Sequence, residues 1–199
     1  MGNCWLDDFC SGIRAGVSPS VADKVLKGFE CQDESRKAEL ADWLAGVLDR
    51  FGKLVQPDAR KRTMKKMGYD CAIQHEAHKK EKLKLDKFGS LDAYIDAEEK
   101  AYHSCGYGVR RDGGKIVLTY LPKAMKCRCY CSVWNGLPAD RKASLTYCHC
   151  SAGHVEYIWR HITQRAIDVD VTCSCISGSD HCEFVFDLDG AGPLGQARG

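Results

Sequence analysis

Eight of the 13 cysteines in this 199-residue chain fall between Cys127 and Cys182. Seven of them form alternating units, Cys127-Arg128-Cys129-Tyr130-Cys131, Cys148-His149-Cys150 and Cys173-Ser174-Cys175, and Cys182 follows. A two-residue step on a strand puts side chains on one face. A strand through Cys127, Cys129 and Cys131 would therefore turn Arg128 and Tyr130 the other way. Geometry restricts what such units can hold. Alternate residues of a regular strand lie about 6.6–6.8 Å apart, whereas tetrahedral zinc needs its sulfurs roughly 3.8 Å apart. Cross-strand neighbours, about 4.5–5.5 Å apart at Cβ, fit better. A metal would thus draw single cysteines from different units. This is neither the Cys-x-x-Cys knuckle of a zinc finger nor a ferredoxin run.

The length suffices to bury a core without disulfides, and an odd cysteine count leaves one unpaired under any intramolecular scheme. Residues 1–8 have neither a basic start nor an apolar stretch, so no secretory signal is read there and the expected compartment is the cytosol, where thiols stay reduced. The formal charge of +2 excludes a globally basic nucleic-acid clamp. No apolar run approaches the roughly 18–20 residues of a membrane span. The expected partner is a small molecule, with no nucleic acid and no membrane.

The chain divides near residue 105. Residues 1–105 read as helical. Ser18-Pro19-Ser20 opens a short helix. Ser35 can cap a longer one to Leu54, with Leu40, Trp43, Leu44, Val47, Leu48, Phe51 and Leu54 as its apolar stripe. A third spans Asp58 to Gly68 and resumes through Cys71 to His78. A fourth runs from Leu91 to Tyr102, with Leu91, Tyr94, Ile95 and Tyr102 inward. Residues 106–189 read as strands around one helix. Lys115–Leu121 and Lys126–Val133 are strand candidates, and Ser151 caps a helix to Arg165 with Val155, Ile158, Trp159 and Ile162 inward. Ile167, Val169, Val171 and Cys173 alternate with polar residues, as do Cys182, Phe184 and Phe186, so the two runs read as an antiparallel hairpin. Residues 190–199 read as a disordered tail. The fold class expected is α+β, a helical N-terminal half packed on a C-terminal antiparallel sheet with one long helix, forming one compact domain.

Buried free cysteine is often only a small hydrophobe, and Cys4, Cys10, Cys31 and Cys105 read that way. Cys173 and Cys175 read equally as core or ligand. Cys129, Cys131, Cys148, Cys150 and Cys182, with Cys71 reaching in from a helix, are the expected metal ligands, for zinc or an iron–sulfur cluster. Cys148 and His149 are the expected catalytic pair, since a neighbouring imidazolium lowers a thiol pKa. His75-Glu76-Ala77-His78 lacks the zincin spacing, and with Lys79, Lys80, Lys82, Lys84 and Lys87 it reads as a solvated basic face. Arg60-Lys61-Arg62 and Lys65-Lys66 form another.

Tyr147-Cys148-His149-Cys150-Ser151-Ala152-Gly153-His154, a helix, Ile167–Val171 and then Ser174 to Phe186 resemble the vinyl-reductase or hydrocarbon-binding domain. The sequence is similar also to aminothiazoline-carboxylate hydrolase-like proteins and to Cys-rich proteins of anaerobic bacteria, the last through Met67-Gly68-Tyr69-Asp70-Cys71-Ala72. The resemblance covers roughly residues 60–188. It implies an α+β domain, often a homodimer, with a small-ligand pocket beside the sheet. Some members hold zinc through cysteines of the terminal hairpin. Cys182 matches the second such position, and the first falls on Ser174. The function expected is hydrolysis or lyase chemistry on a small, sulfur-containing heterocycle or amide in a cysteine-lined, metal-containing pocket. The alternatives are a non-catalytic sensor or carrier for a hydrophobic ligand or thiophilic metal, and a purely structural zinc.

Overall fold

The computed structural model describes residues 5–29, 36–122, 127–129, 131–138 and 140–193, without the side chains of residue 5 and of 102–105. Cys4, Cys31 and Ser35 lie outside the described residues, as does the side chain of Cys105.

Among the described residues six α-helices precede the sheet: α1 (Trp5–Gly16), α2 (Pro19–Val25), α3 (Lys37–Leu54), α4 (Pro57–Gln74), α5 (Ala77–Phe88) and α6 (Leu91–Cys105). Strands β1 (Tyr107–Asp112) and β2 (Lys115–Tyr120) follow, then α7 (His149–Thr163), β3 (Asp170–Cys173) and β4 (Cys182–Asp187). The sheet is antiparallel throughout, in the order β1-β2-β4-β3. The expected α+β architecture is the observed one.

α3 forms because its apolar residues recur on one stripe: Leu40, Leu44, Val47, Leu48 and Phe51 are all buried. Against it packs a 3₁₀ turn, Ser132–Gly136, so closely that a Cβ on Gly136 would meet the α3 backbone at Lys37 and Ala38. On the sheet, Ile116 and Leu118 pair with Phe186 and Phe184. That face receives Trp159 of α7, whose ring lies tilted at 5.0 Å from Phe186, and Tyr94 of α6 meets Trp159 in turn at 6.3 Å.

α4 and α7 cross with almost no space between them. A Cβ on Gly68 would collide with the carbonyl of Cys150, and one on Gly153 with the carbonyl of Lys65. Gly68 therefore does not end a helix, as the sequence suggested. It lies inside an unbroken α4, where the missing side chain lets α7 approach. The break comes later, at Glu76, whose φ of 49° places it in the left-handed region.

A buried ion network ties the same two helices to the segment entering β3. Lys65 reaches Glu156 at 2.6 Å and also Asp168, Arg160 reaches Glu156 at 2.7 Å, and the backbone N–H of Val169 donates to Glu156 at 3.3 Å.

Two expectations fail locally. The strand over Lys126–Val133 does not form: the described residues there are bends and the 3₁₀ turn. Arg128, expected to turn to the opposite strand face from the cysteines, instead fastens this loop. Its guanidinium donates to the carbonyls of Leu137 (2.5 Å), Pro138 and Arg141, while Asn135 Oδ1 accepts from the backbone N–H of Arg128 and of Cys129. Conversely β1 forms over Tyr107–Asp112, where no strand is expected. Lys126, Tyr130 and residues 194–199 lie outside the described residues. The start of the expected tail is pinned, since the N–H of Ala166 donates to the carbonyl of Gly192 at 2.8 Å.

Candidate functional site: two groups of thiols

The alternation of β3 breaks at a bulge between Val171 and Cys173, where the register on β4 shifts. Val171 is buried, but Cys173 pairs with Glu183 and is only half-buried. Ser174 takes the interior position instead, fully buried, with its hydroxyl bonded to that of Ser177 at 3.2 Å. β4 keeps its parity, so Cys182, Phe184 and Phe186 are all buried.

The expected metal ligands separate into two groups. The first is Cys129, Cys148 and Cys182, joined by Cys175 from the turn after β3. The backbone N–H of Cys175 donates to the Cys182 sulfur at 3.4 Å, and the two thiols are hydrogen-bonded. Burial pushes the Cys175 thiol up to about 12, with Cys182 adding to the shift, and burial pushes Cys129 to about 12. Burial also raises Cys148, although a hydrogen bond with Ser174 works the other way; Cys182, Cys129 and Cys150 stand close enough to add to the rise.

The second group is Cys71 from α4, Cys131 from the loop and Cys150 from α7. The phenol of Tyr147 shares a hydrogen bond with the Cys131 sulfur at 3.0 Å. Burial pushes Cys150 up to about 12, and Cys131 and Cys71 add to it. Cys131 is raised by burial and by Cys71, against a hydrogen bond from Tyr147. Cys71 is raised by burial and by Asp8. Tyr147, quoted within the motif but given no role by the sequence, is the residue that joins this group. Its pairing of an aromatic ring with a hydroxyl beside Cys-x-Cys was the available signal.

Cys71, Cys150 and Tyr147 line a cleft of about 630 Å³ between α1 and α4. Gly12 and Gly16 of α1, which pack directly against Met67 and Thr63 of α4, line it together with the charged residues Asp8, Arg62, Lys66 and Asp70. A second pocket, about 410 Å³, lies beside the sheet, with Leu118, Tyr120, Val155 and Trp159 at its apolar base.

The expected catalytic pair, Cys148 and His149, straddles the junction of two elements. Cys148 ends a 3₁₀ turn and His149 starts α7, and their environments are opposite. His149 is held neutral by burial first, then by the charge of Lys61, with Lys65 and Arg60 adding to the effect against Asp170. Its Nδ1 is buried and has no hydrogen-bond partner among the described residues. The charges acting on Cys148 are those of other cysteines. A thiol raised by burial with no cation beside it is a poor nucleophile at neutral pH.

The zinc arrangement implied by the resemblance does not fit these residues. Its first hairpin position is Ser174, whose hydroxyl is already engaged with Ser177. Among the described residues, no group of three or more His, Cys, Asp or Glu side chains is disposed to hold a metal ion. Nor is any described helix long and apolar enough to cross a membrane.

No known family description matches the chain, and no curated protein matches it. Two solved structures are similar in fold. One is a trafficking protein particle complex subunit 3 from Naegleria fowleri, covalently bound to palmitic acid, at 12% identity and a TM-score of 0.45, covering 82% of this chain and 100% of that one. The other is an H-NOX domain from Shewanella oneidensis in the Fe(II)CO state, at 17% identity and a TM-score of 0.43, covering 92% and 96%. At these identities the likeness concerns fold alone.

Proposed function

We propose that this protein binds a thiophilic species, a soft metal ion or a small molecule carrying one, and acts as a carrier or sensor rather than as a hydrolase or lyase. One observation carries the reading. Seven cysteines gather in two groups, and burial is the main influence on the thiols of Cys71, Cys129, Cys131, Cys148, Cys150 and Cys175, followed by hydrogen bonds, by one another and by the carboxylates of Asp8 and Asp180. Neutral thiols of this kind give up their protons to a soft Lewis acid, which replaces each S–H by a metal–sulfur bond. They are poorly placed to attack a carbon.

The same reading takes the chain as a divergent relative of the vinyl-reductase or hydrocarbon-binding domain. The order α7, β3, Gly178 turn and β4 supports it. A structural zinc, or an iron–sulfur centre, at Cys129, Cys148, Cys175 and Cys182 is a second reading, favoured by the thiol contact between Cys175 and Cys182.

Elemental analysis and a visible spectrum of anaerobically purified protein test both. The proposed function expects the reduced apoprotein to take up cadmium, copper(I) or a comparable soft ion with loss of titratable thiols. A chain that takes up none of these, with every thiol remaining titratable, sinks it. Colourless protein with one tightly held zinc, lost in Cys175→Ser together with folding, favours the structural reading. A brown protein with iron and sulfide assigns that group to a cluster.

A further inference from the structure

We propose that Cys175 and Cys182 are a reversible dithiol, oxidised to an intrachain disulfide by exchange with a low-molecular-weight disulfide. The inference goes beyond the thiophilic reading and needs no metal, since it concerns one pair of sulfurs in direct contact.

The turn between β3 and β4 builds the contact. The bulge after Val171 puts Ser174, not a cysteine, into the interior. Cys175 then opens a 3₁₀ turn, Cys175–Ser177. From there its N–H donates to the Cys182 sulfur at 3.4 Å, and the two thiols are hydrogen-bonded. Cys182 is fixed by its own strand, as the first residue of β4 and opposite Tyr120 of β2. The nearby thiols have other partners. That of Cys173 reaches the carbonyl of His181 at 3.7 Å, and that of Cys148 is hydrogen-bonded with Ser174.

The turn is closed before any bond forms. The N–H groups of Ser177 and Ser179 both donate to the Ser174 carbonyl, at 3.2 and 3.1 Å, and that of Gly178 donates to the Cys175 carbonyl at 3.3 Å. Gly178 takes a φ of 113°, which glycine adopts without strain. The Ile176 carbonyl accepts from the N–H of Ala143 at 2.8 Å, which anchors the turn to the loop before α7. Closing the ring from Cys175 to Cys182 therefore costs little chain entropy, because the hairpin has already brought its ends together. An S–S bond of about 2.0 Å asks the two side chains to close in from hydrogen-bonded contact.

Access sets the order of the step. Cys175 is half-buried and Cys182 is buried, so Cys175 meets the reagent first. Its sulfur gives up its proton and attacks one sulfur of the small disulfide R–S–S–R. A Cys175–S–R bond forms, the reagent's S–S bond breaks, and R–S⁻ leaves and takes up a proton. The Cys182 sulfur then attacks that of Cys175: the intrachain S–S bond forms, the bond to R–S breaks, and a second R–SH leaves with the proton of Cys182. Two protein thiols are oxidised and one small disulfide is reduced to two thiols. The second attack is intramolecular between groups already in contact, so it outpaces loss of the adduct. Burial raises the Cys175 thiol, with Cys182 adding to the rise, so the first attack is slow at neutral pH and faster in mild alkali.

The experiment uses the full chain, reduced and metal-free, incubated without air with excess oxidised glutathione in mild alkali. Cleavage before Asp180 separates the two cysteines. The peptide carrying Cys175 should then be recovered joined to the one carrying Cys182, two hydrogens below their summed mass and free of glutathione. Dithiothreitol should part them. Cys173→Ser should keep the link, and Cys175→Ser should abolish it. Should Cys175→Ser fail to fold, fragmentation of the joined wild-type peptides shows whether the bond lies on Cys175 or Cys173. A link from Cys182 to Cys173, Cys129 or Cys148 overturns the assignment. So does a Cys175 that stays reduced, or one that keeps glutathione while Cys182 stays free. Soft-ion uptake is read separately on the reduced chain. The link without uptake sinks the proposed function alone, and uptake without the link sinks this inference alone.

Discussion

Gly68 of α4 lies directly against the backbone carbonyl of Cys150 in α7, and no side chain fits between them. The reciprocal contact, Gly153 against the carbonyl of Lys65, makes the crossing a two-glycine joint. Both cysteine groups take members from the helices or loops this joint positions. Gly68→Ala and Gly153→Ala should each destabilise the fold by about 1–3 kcal/mol, the usual range for overpacking. Gly192→Ala is the matched control, since a Cβ there meets nothing within 4 Å. Chemical denaturation of the three variants reads the difference, and a neutral Gly68→Ala would contradict the joint.

The Glu156 network should show the asymmetry of buried ion pairs. Its carboxylate is nearly enclosed and is held by Lys65, Arg160 and the Val169 N–H. Lys65→Met leaves the carboxylate with Arg160 and the Val169 N–H alone and should cost about 1–3 kcal/mol. Lys65→Met combined with Glu156→Leu should recover much of that loss. A double-mutant cycle measured in urea gives the coupling directly.

Stability should fall at alkaline pH. Cys129, Cys150 and Cys175 are raised from an ordinary 9.0 to about 12 by burial. A group whose folded pKa is raised keeps its full contribution below its unfolded pKa and loses it as pH rises towards the folded one. The loss therefore begins near pH 9 and continues to about pH 12. Cys150→Ala should flatten that slope relative to wild type in thermal melts across this window. An unchanged slope would mean that Cys150 is not buried as a neutral thiol.

His149 should be irrelevant to the reactivity of Cys148. Alkylation of Cys148 at neutral pH should be slow, and His149→Ala should leave its rate unchanged within about twofold, since burial keeps the neighbouring imidazole uncharged and gives it no hold on the thiol's pKa. Slowing of tenfold or more in that variant would restore the nucleophile–base pair.

Much of the architecture was legible because periodicity reports burial directly. The α3 stripe, the β4 alternation and the hairpin it forms with β3 all follow from which residues must leave water. The failures share a cause, which is that backbone irregularities carry no strong compositional mark. The bulge before Cys173 reverses inside and outside over one residue, so Ser174, not a cysteine, faces inward. The stretch through Cys127, Cys129 and Cys131 alternates as a strand would, yet Arg128 holds it as a loop by donating to three carbonyls that lie 9 to 13 residues along the chain. Gly68 read as a breaker because its partner, Cys150, is distant in sequence. In the candidate site the types of residue were legible, and their division into two groups was a matter of tertiary contact alone.

The strand order carries a kinetic consequence. β4, the last strand among the described residues, inserts between β2 and β3 rather than adding at an edge. Its pairing with β2 joins Tyr120 to Cys182 across the whole cysteine-rich segment. Non-local pairings of this kind form late, because loop closure must precede any reward from contact. On the ribosome the helices can therefore collapse while the loop thiols still lack the strand that encloses them. The interval before β4 docks is when these sulfurs are most open to oxidation or to a stray metal. The order of synthesis sets how long that exposure lasts.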